Sequence, residues 1–207
     1  MSPPITTLLP AAGLLDYVGI AVFAISGAVV AAQKRQTLVT FFFFAVVTGI
    51  GGGTVRDLLI GAPVFWMHEN GTLLICLAAG MLVWLTPQRI WGGRALAWFD
   101  AVGIAVYGTY GAAKGLAFGA APLPAFGMGV ITACAGGIIR DLLAARPSIL
   151  LRPELYVTAA ALSAGLMVAL TLAGMPTLAA GAVAAISGFV LRAAAISKGW
   201  SLPGYRR

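Results

Sequence analysis

An arginine–aspartate dipeptide occurs twice in this 207-residue chain, and each time two residues separate it from a preceding pair of glycines. The first copy spans residues 52–59 and the second spans residues 136–143, and both follow the pattern Gly-Gly-x-x-Arg-Asp-Leu-Leu. Both copies lie within long apolar runs. Charged groups inside a membrane usually face the protein interior, find partners and mark a pathway for ions or solutes. The repeated motif therefore indicates two buried sites that handle charge.

The candidate pathway residues are the glycines, the Arg-Asp pairs and one neighbouring hydroxyl group. They are Gly51, Gly52, Gly53, Thr54, Arg56 and Asp57 in the first copy, and Gly136, Gly137, Arg140 and Asp141 in the second. Glycine is about 1 kcal/mol less favourable than alanine inside a helix, so these glycines predict a kink or break. A break would free carbonyls for a cation and N–H groups for an anion. The alternative is close helix packing through small residues.

Two further aspartates, Asp16 and Asp100, stand 84 positions apart, as Arg56 and Arg140 do. They begin the first and fourth apolar segments. Each aspartate therefore lies at the membrane face where the span carrying the arginine of its repeat ends, which predicts the ion pairs Asp16–Arg56 and Asp100–Arg140. Adjacent residues of a helix point in different directions, which argues against pairing within each Arg-Asp dipeptide. The alternative for the two aspartates is helix N-capping, with no role in transport.

Lys114 is a cation inside a predicted span, and it has no counterpart because the equivalent position of the first copy is Val30. One reading is that its long side chain snorkels to the membrane interface. The other is that it projects into a permeation path and gates or tunes it electrostatically. Both readings stay open on the sequence alone.

The composition shows which elements must position these residues, since 60% of them are hydrophobic and only 9% are charged. Ordinary soluble domains contain roughly 25% charged residues. A membrane-spanning helix needs about 20 apolar residues. The sequence therefore predicts an all-α integral membrane protein with seven transmembrane helices. The predicted spans are residues 14–32, 38–60, 72–86, 98–116, 123–144, 155–173 and 178–191.

The 84-residue period covers three spans, and an odd number of crossings makes the second copy enter the membrane from the opposite face. The two copies must therefore be inverted repeats, an architecture that places ion and substrate sites near the membrane midplane. We predict a first repeat over residues 14–97, a second, inverted repeat over residues 98–176, and a seventh helix with a basic tail over residues 177–207.

Positive residues outside the hydrophobic spans fall on one predicted face of the membrane. They are Lys34, Arg35, Arg89, Arg94, Arg146, Arg152, Arg192, Lys198, Arg206 and Arg207. The positive-inside rule makes this face cytoplasmic, with the N-terminus outside and the C-terminus in the cytoplasm. Topology and anionic membrane lipid then account for the net charge of +7, and no nucleic acid partner is expected.

The residues for enzyme chemistry are missing from the sequence. Cys76 and Cys134 lie in apolar runs and predict neither a disulfide nor a metal site, and His68 is the single histidine. A repeated Arg-Asp dipeptide is not a nucleophile with a base. We therefore expect no catalytic residues, no cofactor and no transition metal.

The doubled motif at three-span spacing, followed by a seventh span ending at residues 191–196 and then by residues 199–203, resembles the prokaryotic branch of the trimeric intracellular cation (TRIC) channels. This family is also described by a duplicated glycine-transporter domain. The resemblance covers about residues 16–203. It implies a homotrimer in the bacterial inner membrane, with one ion pathway in each protomer around kinked second and fifth helices. It also implies monovalent cations, potassium foremost and sodium second, and Lys114 lies on the helix that carries gating-related basic residues in animal members.

Two functions of different class remain open. In a passive cation channel, Asp57 and Asp141 attract partly hydrated cations while the arginines set the field. In a secondary transporter of a small zwitterion such as glycine, Arg56 or Arg140 binds the solute's carboxylate. The resemblance favours the channel, as does the lack of an Asn or Gln cluster in the spans. A third alternative is a structural membrane protein whose charges only lock helices together.

Overall fold

The computed structural model describes residues 9–151 and 153–204, with side chains from residue 16 onward, and this part of the chain contains seven α-helices and no strand. The helices are α1 (Leu9–Gln33), α2 (Leu38–Leu59), α3 (Gly71–Leu85), α4 (Ala95–Ala117), α5 (Pro122–Leu143), α6 (Val157–Leu172) and α7 (Thr177–Lys198). Short 3-10 helices lie in three loops, at Phe65–Met67, Gln88–Trp91 and Ile149–Leu151. The predicted all-α membrane fold is confirmed. Arg152, Arg206 and Arg207 lie outside the described residues.

Helix lengths follow the apolar runs, and α1, α2, α5 and α7 are long and apolar enough to cross a membrane. Helices α3 and α6 are apolar but shorter, at 15 and 16 residues. Helix α4 has 23 residues but carries Asp100 and Lys114, which lower its hydropathy. Helix α7 runs beyond the predicted end at residue 191, because Arg192 is buried and ion-paired to Glu154, so the helix can continue past the apolar run. It ends at Gly199, whose φ of +68° is left-handed.

The two repeats make equivalent contacts across a pseudo-two-fold axis. A Cβ atom on Gly19 would lie 2.5 Å from the Tyr107 ring, and one on Gly103 would lie 2.7 Å from the Phe23 ring. Phe23 and Tyr107 are themselves equivalent positions, and their rings stack with centroids 5.4 Å apart. Helices α1 and α4 therefore pack through reciprocal ring-on-glycine contacts, as inverted repeats require.

Helices α2 and α5 cross at the glycines of the repeated motif. A Cβ atom on Gly52 would lie 2.1 Å from the carbonyl oxygen of Thr132, and one on Gly136 would lie 2.6 Å from the carbonyl oxygen of Thr48. Both helices continue without interruption through these glycines, so the predicted break is wrong, whereas the predicted kink stays a prediction. The glycines instead allow the two backbones to approach closely, which is the packing alternative.

The crossing predicts that Gly52→Ala destabilises the protein, because the added methyl group must push the Thr132 carbonyl aside. We expect the free energy of unfolding to fall by about 1–3 kcal/mol, the usual effect of overpacking. Unfolding in detergent, followed by circular dichroism, measures this loss.

Gly127→Ala in α5 is the matched control, since a Cβ atom there meets nothing within 4 Å. It should leave stability unchanged or raise it by up to about 1 kcal/mol through helix propensity. Equal losses in the two variants would contradict the close crossing.

Candidate functional site

The first charge cluster lies at the C-terminal end of α2 and contains Asp16, Arg56, Asp57 and Lys114. Arg56 Nε donates a hydrogen bond to Asp57 Oδ1 over 2.8 Å. Lys114 Nζ donates to the same oxygen, also over 2.8 Å. Asp57 therefore joins two cations, and the argument against pairing within the dipeptide is wrong. The arginine side chain is long enough to turn back to its neighbour, even though adjacent Cβ atoms diverge.

The Arg56 guanidinium is fully buried, yet both of its terminal nitrogens lack a hydrogen-bond partner. Its carbon lies 5.0 Å from the centre of the Tyr110 ring and 5.8 Å from that of Phe65, so aromatic faces surround the charge. Asp16 Oδ1 is also buried without a hydrogen-bond partner. The predicted Asp16–Arg56 ion pair therefore makes no direct hydrogen bond, because Asp57 and the two rings hold the guanidinium, although the two opposite charges still attract each other within the cluster.

The second cluster lies at the C-terminal end of α5, on the opposite face of the membrane, and its arginine is fully engaged. Arg140 donates to both Asp100 oxygens, over 2.7 and 3.0 Å, in the bidentate geometry that favours Arg–carboxylate pairs. It also donates to Ser26 Oγ over 2.9 Å and to Asp141 Oδ1 over 3.0 Å. The predicted Asp100–Arg140 pair is present.

Each motif aspartate also holds the loop that follows its helix. Asp57 Oδ2 accepts a hydrogen bond from the Phe65 N–H over 3.1 Å, and Asp141 Oδ2 accepts one from the Ile149 N–H over 3.2 Å. Phe65 and Ile149 are equivalent positions that begin the 3-10 helices of their repeats. One carboxylate oxygen thus binds the arginine while the other ties a loop over the cluster, a role that the sequence reasoning missed.

The two clusters differ in charge because one cation has no counterpart. The first contains Arg56 and Lys114 with Asp16 and Asp57, which balance when all are ionised. The second contains Arg140 with Asp100 and Asp141, so it carries one excess negative charge. Val30 stands where Lys114 would be repeated, and Ser26 stands where Tyr110 would be repeated. The membrane faces therefore present different fields to a solute.

The remaining candidate residues surround the two clusters. Gly51 packs against Ile139, beside the α2–α5 crossing, while Gly53 lies against the Phe65 ring and Gly137 against the Tyr156 hydroxyl. Thr54 Oγ1 donates to a backbone carbonyl of its own helix and accepts a hydrogen bond from the Trp66 indole over 2.9 Å. The structure thus brings the candidates together around α2 and α5, and their role in conduction stays a prediction.

The metal-ligating and thiol side chains of the described residues are scattered. Among those residues, no group of three or more His, Cys, Asp or Glu side chains could hold a metal ion. Cys76 and Cys134 are buried free cysteines. The two clusters offer buried charges and dipoles within an α-helical membrane protein.

Comparison with known proteins shows where this fold occurs. The model of the glycine transporter family matches twice, over residues 13–88 and 97–173, which correspond to the two repeats. A UPF0126 membrane protein of Vibrio cholerae is 38% identical over 152 residues, covering 70% of this chain and 62% of that protein. The UPF0126 membrane protein YvgT of Bacillus subtilis is 37% identical over 164 residues, covering 76% and 79% of the two chains.

The fold is also found in a solved channel structure. The TRIC trimeric intracellular cation channel orthologue from Rhodobacter sphaeroides superimposes with a TM-score of 0.85 and 39% identity, covering 92% of this chain and 99% of that one. An inverted-repeat membrane protein with paired buried charges is the class that the geometry defines. The chain belongs to the prokaryotic TRIC family, whose repeats the glycine transporter model describes.

The unequal clusters predict unequal effects of removing their aspartates. Asp100→Asn leaves the buried Arg140 charge without its bidentate partner, and we expect a loss of about 3–5 kcal/mol in the free energy of unfolding. Asp16→Asn at the equivalent position should cost less than half as much, because Asp16 makes no hydrogen bond to Arg56.

Denaturant unfolding of the two variants in the same detergent compares these losses directly. Asn is close to Asp in size at both positions, so packing is nearly constant. Equal losses would mean that Asp16 pairs with Arg56 as the sequence predicts.

Proposed function

We propose that the protein is a passive channel for monovalent cations with one ion pathway in each protomer. The observation that carries this proposal is the placement of two buried charge clusters at opposite ends of the α2–α5 crossing, within inverted repeats. The relationship to a solved TRIC cation channel supports it. We assign the pathway to Gly51, Gly52, Gly53, Thr54, Arg56, Asp57, Gly136, Gly137, Arg140 and Asp141.

A cation crossing the protein meets the two motif aspartates in turn. Asp57 and Asp141 supply negative charge inside the low-dielectric interior, where a carboxylate attracts a cation strongly. The arginines keep these carboxylates in place, and they limit how tightly a cation is held. Between the clusters, Gly52 and Gly136 pack directly against the carbonyl oxygens of Thr132 and Thr48, so α2 and α5 must separate slightly before these oxygens can replace part of an ion's hydration shell.

Lys114 is the candidate gating residue, because its ammonium group occupies the Asp57 oxygen that a cation would approach. Its side chain is 17% exposed, so the ammonium has room to leave the carboxylate. When it stays, the first cluster is neutral and the ammonium occupies the oxygen, so an incoming cation is not attracted. When it moves away, Asp57 becomes available. The charge of Lys114 also couples this exchange to membrane voltage.

The cellular setting that we propose follows the relatives and the distribution of charge. We assign the protein to the bacterial inner membrane with the N-terminus outside and the C-terminus cytoplasmic, by the positive-inside rule. We assign a homotrimeric assembly, because the related channel of R. sphaeroides is a trimeric channel orthologue. Potassium is the preferred ion and sodium the second. The division into residues 14–97, 98–176 and 177–207 belongs to the same proposal.

Transport of a small zwitterion is the second candidate function. The buried terminal nitrogens of Arg56 and the buried Oδ1 of Asp16 lack hydrogen-bond partners and lie in one cluster. A guanidinium and a carboxylate in this state suit the carboxylate and ammonium groups of an amino acid such as glycine. The name of the matching family model points the same way.

Electrical recording separates the two candidates. Purified protein in a planar bilayer under a potassium chloride gradient should give discrete unitary currents that reverse near the potassium potential. Folded protein that gives no current, but exchanges labelled glycine across liposomes, would replace the channel with the transporter. Folded protein without current or exchange would leave the structural role.

The position of Lys114 predicts that Lys114→Met increases cation conductance several-fold and weakens its voltage dependence. Methionine keeps much of the side-chain length but frees Asp57 for a permeating cation. Lys198→Met is the control, because it removes the same charge at the end of α7, where the ammonium lies over the Trp200 ring. Unchanged currents in Lys114→Met would remove Lys114 from the gating mechanism.

A further inference from the structure

A pocket of about 360 Å³ opens where α1 ends, α2 begins and α3 ends, on the face that carries the basic loops. We call it the basic-face pocket. Its rim is polar, with Arg35, Gln36 and Gln88, and its wall includes Val83 and Trp84. Trp84 is 43% exposed and belongs to the lipid-facing side of α3. The pocket is therefore polar toward the loops and apolar toward the membrane.

The charge around this pocket is positive and uncompensated within the described structure. Lys34, Arg35 and Arg89 are exposed there. All six acidic residues of the chain are engaged or placed elsewhere: Asp16, Asp57, Asp100 and Asp141 belong to the charge clusters, Glu69 accepts hydrogen bonds from Tyr17 and Thr72, and Glu154 pairs with Arg192. A basic rim without an acidic partner attracts an anion at the membrane surface.

The inverted repeat supplies an internal comparison, because the same turn occurs on the opposite face without these polar groups. The equivalents of Arg35 and Gln36 are Gly119 and Ala120. The other polar positions of the pocket, Thr86 and Gln88, correspond to Leu170 and Leu172. The shared backbone does not require polar side chains at these positions. On the basic face, Thr86 bonds to Leu82 and Trp91, and the Gln36 and Gln88 amides each donate one hydrogen bond to a backbone carbonyl. The exposed Arg35 guanidinium is therefore the group that is open to a ligand.

Arg35 also adopts a backbone conformation that favours glycine. Its φ is +51°, and the equivalent Gly119 has a φ of +82°. Both residues close their helices in the same way: Arg35 N–H bonds to Ala32 and Gly119 N–H bonds to Leu116. A side chain in this left-handed region is strained, whereas glycine is not. Ala145, which corresponds to Gly61, has a φ of +48° without a charged side chain, so at Arg35 the guanidinium rather than the backbone marks the site.

We propose that the basic-face pocket binds the headgroup of an anionic phospholipid. Arg35 contacts the phosphate, the amides of Gln36 and Gln88 contact the glycerol oxygens, and an acyl chain runs along Trp84 and Val83 into the bilayer. The lipid stabilises the loop between α1 and α2, and thus the start of the helix that carries the first motif. This site does not depend on which solute the protein conducts.

The test compares Arg35→Gly with the wild-type protein in neutral detergent, as dioleoyl phosphatidylglycerol is added. A ligand that binds only the folded protein raises its unfolding temperature in proportion to occupancy. Without lipid, Arg35→Gly should unfold at the same temperature as wild type or higher, because glycine relieves the strain. With lipid, it should need about fivefold more phosphatidylglycerol for half of the stabilisation, as expected for one basic group at a membrane surface.

Three controls decide the result. Lys198→Ala removes a charge on the same face but outside the pocket, and should respond as wild type does. Phosphatidylcholine tests the need for negative charge, and soluble glycerol 3-phosphate tests the need for acyl chains; neither should stabilise the protein. An unchanged response of Arg35→Gly, or equal stabilisation by either control compound, would overturn the proposal. Because no ion flux is measured, the outcome is independent of the channel assignment.

Discussion

Burial of the Arg-Asp dipeptides is the interaction on which the rest of the structure depends. An isolated charge in the hydrocarbon core is strongly unfavourable, so each arginine needs a carboxylate beside it. Asp57 and Asp141 meet this need with one oxygen and bind the next loop with the other. In each half of the protein, one aspartate therefore both neutralises the buried arginine and holds the following loop over it.

The close crossing of α2 and α5 follows from the same arrangement. The charge clusters lie at the ends of these two helices, so the space between them must be filled by backbone if the interior is to stay packed. Gly52 and Gly136 allow this, since any larger residue would collide with the carbonyl of the facing threonine. In the proposed channel, a path for ions between the clusters would run along these glycine faces, where small movements of the two helices would change its width.

Sequence reasoning predicted most of the fold, because apolar run length, the 84-residue period and the parity of crossings depend on composition and order alone. The shared membrane depth of the two residues correctly predicted the Asp100–Arg140 pair. The same argument failed to predict the contacts of Arg56, because it ignores the other groups that compete for the guanidinium. Tyr110 is a ring where the other repeat has a small serine, and it displaces the expected contact. The predicted helix break was also wrong. Helix propensity measures how much glycine destabilises its own helix, and it says nothing about how closely a neighbouring helix can approach that glycine.

The duplication explains why a symmetric scaffold can act asymmetrically. Equivalent positions of the two repeats share a backbone conformation. A difference in side chain between them is therefore not required by the turn or helix in which they lie. Lys114, which corresponds to Val30, changes the charge of one cluster. Arg35, which corresponds to Gly119, places a cation at a position whose left-handed backbone favours glycine. Lys114 belongs to the second repeat and joins the first cluster, whereas Arg35 belongs to the first repeat and lies on the opposite, basic face. In the proposed channel, these differences would let the two membrane faces respond differently to voltage and to lipid, although the repeats share one backbone frame.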